Sequence, residues 1–207
     1  MNVAVMSRSE QKKQQILLAA KELFCGQGFA NTSMDEVAKL AGVSKQTVYS
    51  HYGCKDDLFV ASIESKCLIN GVNQEMLSDP AIPEDNLTKF AQHFADVVVS
   101  SEAITVFKAC VAQADTHPEI SHLFYSAGPE NMLRILTDYL KSVALIGRYQ
   151  FDNPQHCAVR FCLMIFGEMR MKLELGLDVA DLIDDRTEYI NGSVNMFLNA
   201  YRVRSGS

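Results

Sequence analysis

Lys45, Gln46 and Thr47 stand on one turn of a short segment that also carries Tyr49 and His51. Donors gathered this closely suit a surface lined with acceptors, and the base-pair edges in the major groove of DNA are one. Lysine can donate to guanine O6 and N7, glutamine can pair bidentately with adenine N6 and N7, and threonine can touch a thymine methyl. Spacing does not fix which of the three meets which base, because docking angle and rotamer both change reach. Phosphates ask for donors that are already aimed, and helix N-termini supply them through unpaired N–H groups and a partial positive charge. Three helix starts fall in this stretch, at Thr32-Ser33, at Ser44 and at Lys55. A cation at Lys55 opposes the dipole of its own helix unless a phosphate lies in front of it. Its plainer role is that of a solvated lysine.

The elements that must hold these groups are legible nearby. Residues 32–58 read as two short helices joined at Gly42 and followed by a third, a helix-turn-helix pattern. Ser33 and Glu36 have capping-box spacing ahead of an inner face of Val37, Leu40 and Ala41. Ser44 caps the next helix, which buries Val48, while the Tyr52 ring packs beneath. Upstream, a helix from about Ser9 to Cys25 presents Ile16, Ala19, Ala20, Leu23 and Phe24 on one face and leaves through Gly26 and Gly28. Residues 1–8 read as a loose start, in which Arg8, followed by Lys12 and Lys13, is either a DNA-contacting arm or a solvated tail. After Cys54 a long helix is expected towards Leu77, stopped by Asp79-Pro80 and Pro83.

The formal charge of −6 looks wrong for a DNA binder until it is divided along the 207 residues. Residues 1–66 carry 8 Lys/Arg and 7 Asp/Glu, summing to +1, whereas residues 67–207 carry 11 and 18, summing to −7. That division excludes a non-specific polyanion binder and fits a small reading head on an acidic body.

The string through Ile16, Ala19-Ala20, Leu23-Phe24, Gly28-Phe29, Thr32-Ser33, Tyr49-Ser-His-Tyr52 and Lys55-Asp-Asp-Leu58 resembles the TetR family of bacterial transcription regulators. The resemblance implies an all-α chain with an N-terminal helix-turn-helix DNA-binding domain, set at residues 1–55, and a larger helical ligand-binding and dimerisation domain at 56–207, about nine helices in all. It also implies that Thr32, Ser33, Ser44, Tyr49, His51 and Lys55 lie against the DNA backbone. Phe107 to Gln113, His117-Pro-Glu-Ile120, Phe124-Tyr125, Gly128-Pro129, Tyr139-Leu140, Gly147 and Asp152 resemble the regulatory domain of the AefR-like subset. That second likeness supports fold and dimerisation and names no effector.

In the body, Leu87, Phe90, Ala91, Phe94, Val97 and Val98 follow helical spacing, and Ser100-Ser101 marks a break. Pro118, Pro129 and Asn153-Pro154 are read as helix openings, and the last two helices are expected at about 154–176 and 179–203. An effector pocket is expected from Phe90, Phe94, Phe107, Phe124, Met132, Phe161 and Met164, with Gln113, His117 and Glu168 as polar anchors; each is equally at home in an ordinary core. Glu168 needs a partner if buried. Phe161, Ile165, Val194, Phe197 and Tyr201 are the expected dimer seam.

The six cysteines form no Cys-x-x-Cys pair and no metal-like spacing with histidine, so free thiols are expected; Cys54, beside Lys55 at a helix start, is the one suited to redox sensing. No phosphate-cradling loop, Gly-x-Ser-x-Gly or His-Glu-x-x-His occurs, and the five histidines form no triad-like group. The expectation is a cytoplasmic regulator that is not an enzyme, without cofactor, metal or membrane span, its usual outcome repression. It would bind a near-palindromic double-stranded operator as a homodimer and be released by a small apolar or amphipathic effector. The readings left beside it are a thiol-based redox regulator and a helical adaptor whose helix-turn-helix face binds protein.

Overall fold

The computed structural model describes residues 7–69 and 76–204. Among them are ten helices of eight residues or more, a four-residue helical turn and no strand. The chain divides into two units. One comprises residues up to Ser65 together with Thr105–Ala127, and the other comprises Lys66–Ile104 and the rest from Gly128 onward. The division therefore does not fall at 55/56. The first eleven residues of α4 and a later helical pair stay with the N-terminal helices, because Leu58, Phe59, Val106, Cys110 and Ile120 are buried in the same core as Ile16, Phe24, Val37 and Val48.

In this first unit, α1 spans Arg8–Asn31, α2 Met34–Ala41, α3 Lys45–Tyr52 and α4 Lys55–Ile69. Arg8 opens α1, and Ser7 and Glu10 form a reciprocal capping box in front of it. Arg8, Lys12 and Lys13, read as an arm or a solvated tail, are thus part of α1, while residues 1–6 of the expected loose start lie outside the described residues, as does the expected continuation of α4 through 70–75. Ser33 and Glu36 form the capping box read from sequence, and the Ser33 hydroxyl and amide hold the Glu36 carboxyl below its ordinary range. Gly42 ends α2 at φ 66, a left-handed turn that spares a side chain the clash of its Cβ with the backbone. Val37 is fully buried, but Leu40, read as inner, is 46% exposed.

α1 does not stop at Cys25. It runs on and breaks direction at Gly28, with φ 80 and ψ 169. The break exposes carbonyls that would otherwise be bonded within the helix, and three groups meet them. The Thr32 hydroxyl donates to the Gly28 carbonyl at 2.8 Å and the Thr32 amide to the Phe29 carbonyl at 3.2 Å. The Lys55 ammonium donates to the carbonyls of Phe29, 2.9 Å, and Thr32, 3.0 Å, while lying 4.3 Å from the Phe29 ring centre. Beneath it the rings of Phe24, Phe29 and Phe59 pack at 5.1–5.8 Å, tying α1 to α4. The remainder of the unit is the C-terminal part of α6 (Ser101–Gln113) and α7 (Pro118–Tyr125).

The second unit is built from α5 (Pro83–Val98), α8 (Asn131–Leu145), α9 (Pro154–Glu174), the turn α10 (Ala180–Ile183) and α11 (Arg186–Tyr201). α8 lies on α9, and α5 on both α9 and α11. The buried positions of α5 are the apolar stripe read from sequence. Phe90, Leu87, Leu136, Leu140 and Phe161 are completely buried, and Phe161 meets Phe197 edge-on at 4.9 Å. Pro83, Pro118 and Pro154 open their helices, the last behind Asn153, whose side-chain oxygen accepts the His156 amide at 3.0 Å. Pro129 does not. It lies inside a wide five-residue turn, Ser126–Glu130, that joins α7 to α8; a proline ring displaces the carbonyl of the preceding turn, and the wider turn makes room for it. The expected helix over 179–203 is likewise split between α10 and α11. At the end of α5 the nearly buried Arg170 guanidinium donates to the Val98 carbonyl and pairs with Glu174.

Lys55→Met keeps the aliphatic stem and removes the ammonium that joins α4 to the turn of α1. Hydrogen bonds from a charged donor contribute about 1.5–3 kcal/mol, and urea unfolding should show a loss of that size. A change within about 0.5 kcal/mol of zero, the range of unconstrained surface positions, would show that the side chain is merely solvated.

Candidate nucleic-acid interface

α3 is anchored through two inward residues, Val48 and Tyr52, both buried. The Tyr52 hydroxyl donates to the Lys13 carbonyl at 3.2 Å, so the ring that carries the back of the helix also fixes it to α1. Ser44 caps it: the hydroxyl accepts the Thr47 amide at 3.2 Å and lies 2.7 Å from the Thr47 hydroxyl. With its first turn thus satisfied, the helix presents Lys45, Gln46, Tyr49 and Ser50 outward. Gln46 and Tyr49 make no side-chain hydrogen bond among the described residues.

Lys45 is engaged with Asp35 of α2 at 2.7 Å, and that hydrogen bond, with the carboxylate charge, pushes the ammonium above its ordinary range. Both side chains are more than half exposed, so the pair is screened by solvent and open to exchange for a phosphate or a base edge. Asp35 was not among the residues singled out from sequence. It lies ten positions before Lys45, and only the fold of α2 against α3 brings it there. Its effect is to hold the best-placed cation of α3 in check.

Of the backbone-contact candidates, Ser33, Ser44 and Tyr49 are exposed and His51 is half-buried. Two are otherwise employed. Thr32 is 2% exposed and spends its hydroxyl on Gly28, so it is a cap for the kinked end of α1. Lys55 folds back onto the same turn and directs two of its three protons at carbonyls. Both were read as phosphate donors from their place at helix starts; the kink at Gly28, which creates acceptors for them, carries no such signal in sequence. Cys54 is exposed, and its sulfur accepts the Asp57 amide at 3.4 Å, acting as the N-cap of α4. Cys110 and Cys162 are buried, and desolvation pushes their thiols up to about 11 and about 12.

The ten effector-pocket candidates are divided between the units. Phe107, Gln113, His117 and Phe124 belong to the first, where the Phe107 and Phe124 rings lie 6.2 Å apart and Gln113 donates to the Ala109 carbonyl while its buried side-chain oxygen has no hydrogen-bond partner among the described residues. His117 is exposed. Phe90, Phe94, Met132, Phe161, Met164 and Glu168 belong to the second. Phe90 and Phe161 pack at 6.1 Å in its centre. Glu168 is 61% exposed and lies 3.7 Å from Lys172, so it needs no buried partner. A groove of about 150 Å3 opens between α5, α9 and α10–α11, walled by Ala95, Val99, Ile165, Phe166, Met169 and Ile190, and of the ten candidates only Glu168 reaches its edge.

The dimer-seam candidates also need correction. Phe161, Ile165, Val194 and Phe197 are at most 4% exposed in the single chain, with only Tyr201 partly open. They belong to the core that α9 and α11 share with α5 and α8. The same helices also expose Leu163 (65%) and Met171 on α9, with Leu175 just past its end, and the half-exposed Tyr189 and Met196 (61%) on α11. Spacing identified the helices as apolar, and the stripe it named is the one turned inward in the single chain.

Known proteins match both halves of this arrangement. The model of bacterial regulatory proteins of the tetR family matches residues 16–62, and that of the AefR-like transcriptional repressor C-terminal domain matches residues 85–203. The HTH-type transcriptional regulator RutR of Escherichia coli O157:H7 is 31% identical over 159 residues, 70% of this chain and 68% of RutR. Several other curated relatives match over shorter stretches, and the chain spans about a third of their length or less. A solved TetR-family regulator from Mesorhizobium loti superimposes with a TM-score of 0.76 at 25% identity over 96% of this chain and all of that one. The flavonoid-responsive regulator FrrA does so with 0.73 at 29% identity, over 95% of this chain and all of FrrA. Both family models and the whole-chain likeness agree with the outward helix-turn-helix face: the chain belongs to the TetR family of bacterial transcription regulators.

Proposed function

We propose that this regulator is a repressor that binds a near-palindromic operator as a homodimer and is released by a small apolar or amphipathic effector. The observation that carries the reading is α3 itself, eight residues long, capped by Ser44 and pinned through Val48 and Tyr52, with Gln46 and Tyr49 exposed side by side. A single short recognition helix reads few base pairs, and a partner half-site at least about 34 Å away supplies the rest. The outer faces of α9 and α11 fit the role of seam, since Leu163, Met171, Leu175, Tyr189 and Met196 form an exposed apolar surface on helices that another copy could meet across a two-fold axis. Repression accords with the description of the matched C-terminal domain. For the effector, the groove beside α10 is of the size that accepts about one aromatic ring, and the flavonoid response named for FrrA makes a planar aromatic compound the first class to screen.

Selecting operator fragments from genomic DNA with the purified protein and measuring affinity against salt tests the reading directly. Gln46→Ala should cost about 1–3 kcal/mol at particular base positions and little elsewhere. Asp35→Asn, which releases Lys45, should tighten binding to all sequences and steepen the salt dependence by about one per subunit. Unchanged affinity in both variants would remove α3 as the reading element. For the seam, Leu163→Asp with Met196→Asp should give helical monomers in sedimentation that no longer hold the operator, and a persisting dimer would refute it.

A further inference from the structure

The residues from 67 onward carry a charge of −7, yet one end of the second unit is cationic and apolar together. There the loop after α8 meets the N-terminus of α5 and the last residues of the chain: Tyr149 bridges to Arg202, and the Val203 amide donates to the Arg148 carbonyl at 3.0 Å. Arg148 and Arg202 both approach one ring, each 5.8 Å from the centre of Tyr149. Tyr149 is 2% exposed and donates to the Glu84 carboxylate at 2.7 Å. Both guanidiniums also lean on that carboxylate, at 3.3 and 3.8 Å. Two cations thus share one anion, and Arg204 follows two residues on. The nearby Asp79 turns one carboxylate oxygen to the Ala81 amide. Glu84, Arg148, Tyr149, Arg202 and Val203 border a hollow of about 440 Å3, whose wall is completed by Gly147.

Of the residues lining the hollow Val203 is an exposed apolar one (46%), and the segments that lead into its lining expose Ile82 (44%), Leu145 (87%) and Ile146 (49%). Ile82 lies between Ala81, whose carbonyl accepts from Arg148 at 2.9 Å, and the helix start that carries Glu84. Leu145 and Ile146 immediately precede Gly147. Four apolar side chains open to water beside two under-neutralised guanidiniums are complementary to a molecule with an anionic head and an apolar tail.

We infer that this end of the second unit is a binding site for a small amphipathic anion, a carboxylate or phosphate monoester on an aliphatic chain. Arg148 and Arg202 take the head, donating in paired N–H geometry, and Leu145, Ile146, Ile82 and Val203 cover the first carbons of the tail. The site is separate from the helix-turn-helix face and from the groove beside α10, and does not rest on the function proposed above.

Calorimetric titration of the full chain with decanoate below its micelle concentration tests the assignment, with inorganic phosphate and decanol as head-only and tail-only probes. Decanoate should bind with one site per chain and at least tenfold more tightly than either probe. Leu145→Asn, at a position too exposed to affect folding, should weaken decanoate about fivefold with an unchanged melting temperature. Arg148→Gln with Arg202→Gln should abolish the preference for decanoate over decanol, with circular dichroism confirming the fold. Decanol binding as tightly as decanoate, decanoate affinity unaltered in Leu145→Asn, or no heat at millimolar decanoate would each overturn it. Binding of phosphate alone as tightly as decanoate would overturn the apolar half of the site and with it the proposal.

Discussion

The Lys55 ammonium, held between the carbonyls of Phe29 and Thr32, is the interaction on which the reading head depends. α1 breaks at Gly28, and a helix end that breaks inside a protein leaves carbonyls with nothing to bond. Meeting them with the first residue of α4 closes a ring of structure: α1 turns, α2 and α3 follow, and α4 returns to the turn from which they left. The Phe24, Phe29 and Phe59 rings fill the inside of that ring. The placement of α2 and α3 between α1 and α4 is therefore held at one end by a kink and a cation.

The electrostatics of the face follow a second constraint. A head of charge +1 on a body of −7 has little surplus cation, and the fold restrains even that by placing Asp35 against Lys45. An exposed pair of this kind adds little stability. What it does is offset the lysine charge locally, so that an acceptor reaching Lys45 takes the place of Asp35. The neutral Gln46 and Tyr49 beside it carry no such restraint.

In the second unit the constraint is one of sides. α9 carries apolar residues all round, so two faces compete for the core. The stripe of Phe161 and Ile165 goes inward against α5 and α8, and Leu163, Met171 and Leu175 remain outside. α11 divides the same way, with Val194 and Phe197 in and Tyr189 and Met196 out. Gly167 interrupts α9 at φ 57, and there the Tyr189 ring closes over the glycine while its hydroxyl donates to the Met164 carbonyl at 2.6 Å. A side chain at 167 would stand 3.2 Å from that ring, so the glycine serves both the backbone turn and the close approach.

Local chemistry was legible from the sequence because its partners are three or four residues apart. The caps at Ser33, Ser44 and Asn153, the stop at Gly42, the openings at Pro118 and Pro154 and the stripe of α5 all formed as their spacing dictates. So did the outward donors of α3, since burying Val48 and Tyr52 fixes where Gln46 and Tyr49 point. What tertiary structure decided were the contacts of long separation: Lys55 drawn 23 and 26 residues back to α1, Asp35 set against Lys45, and the choice of inner face on α9 and α11. A periodicity states that a helix has an apolar side. Where two sides qualify, only the neighbours that arrive to cover one of them determine which is core and which is left for a partner.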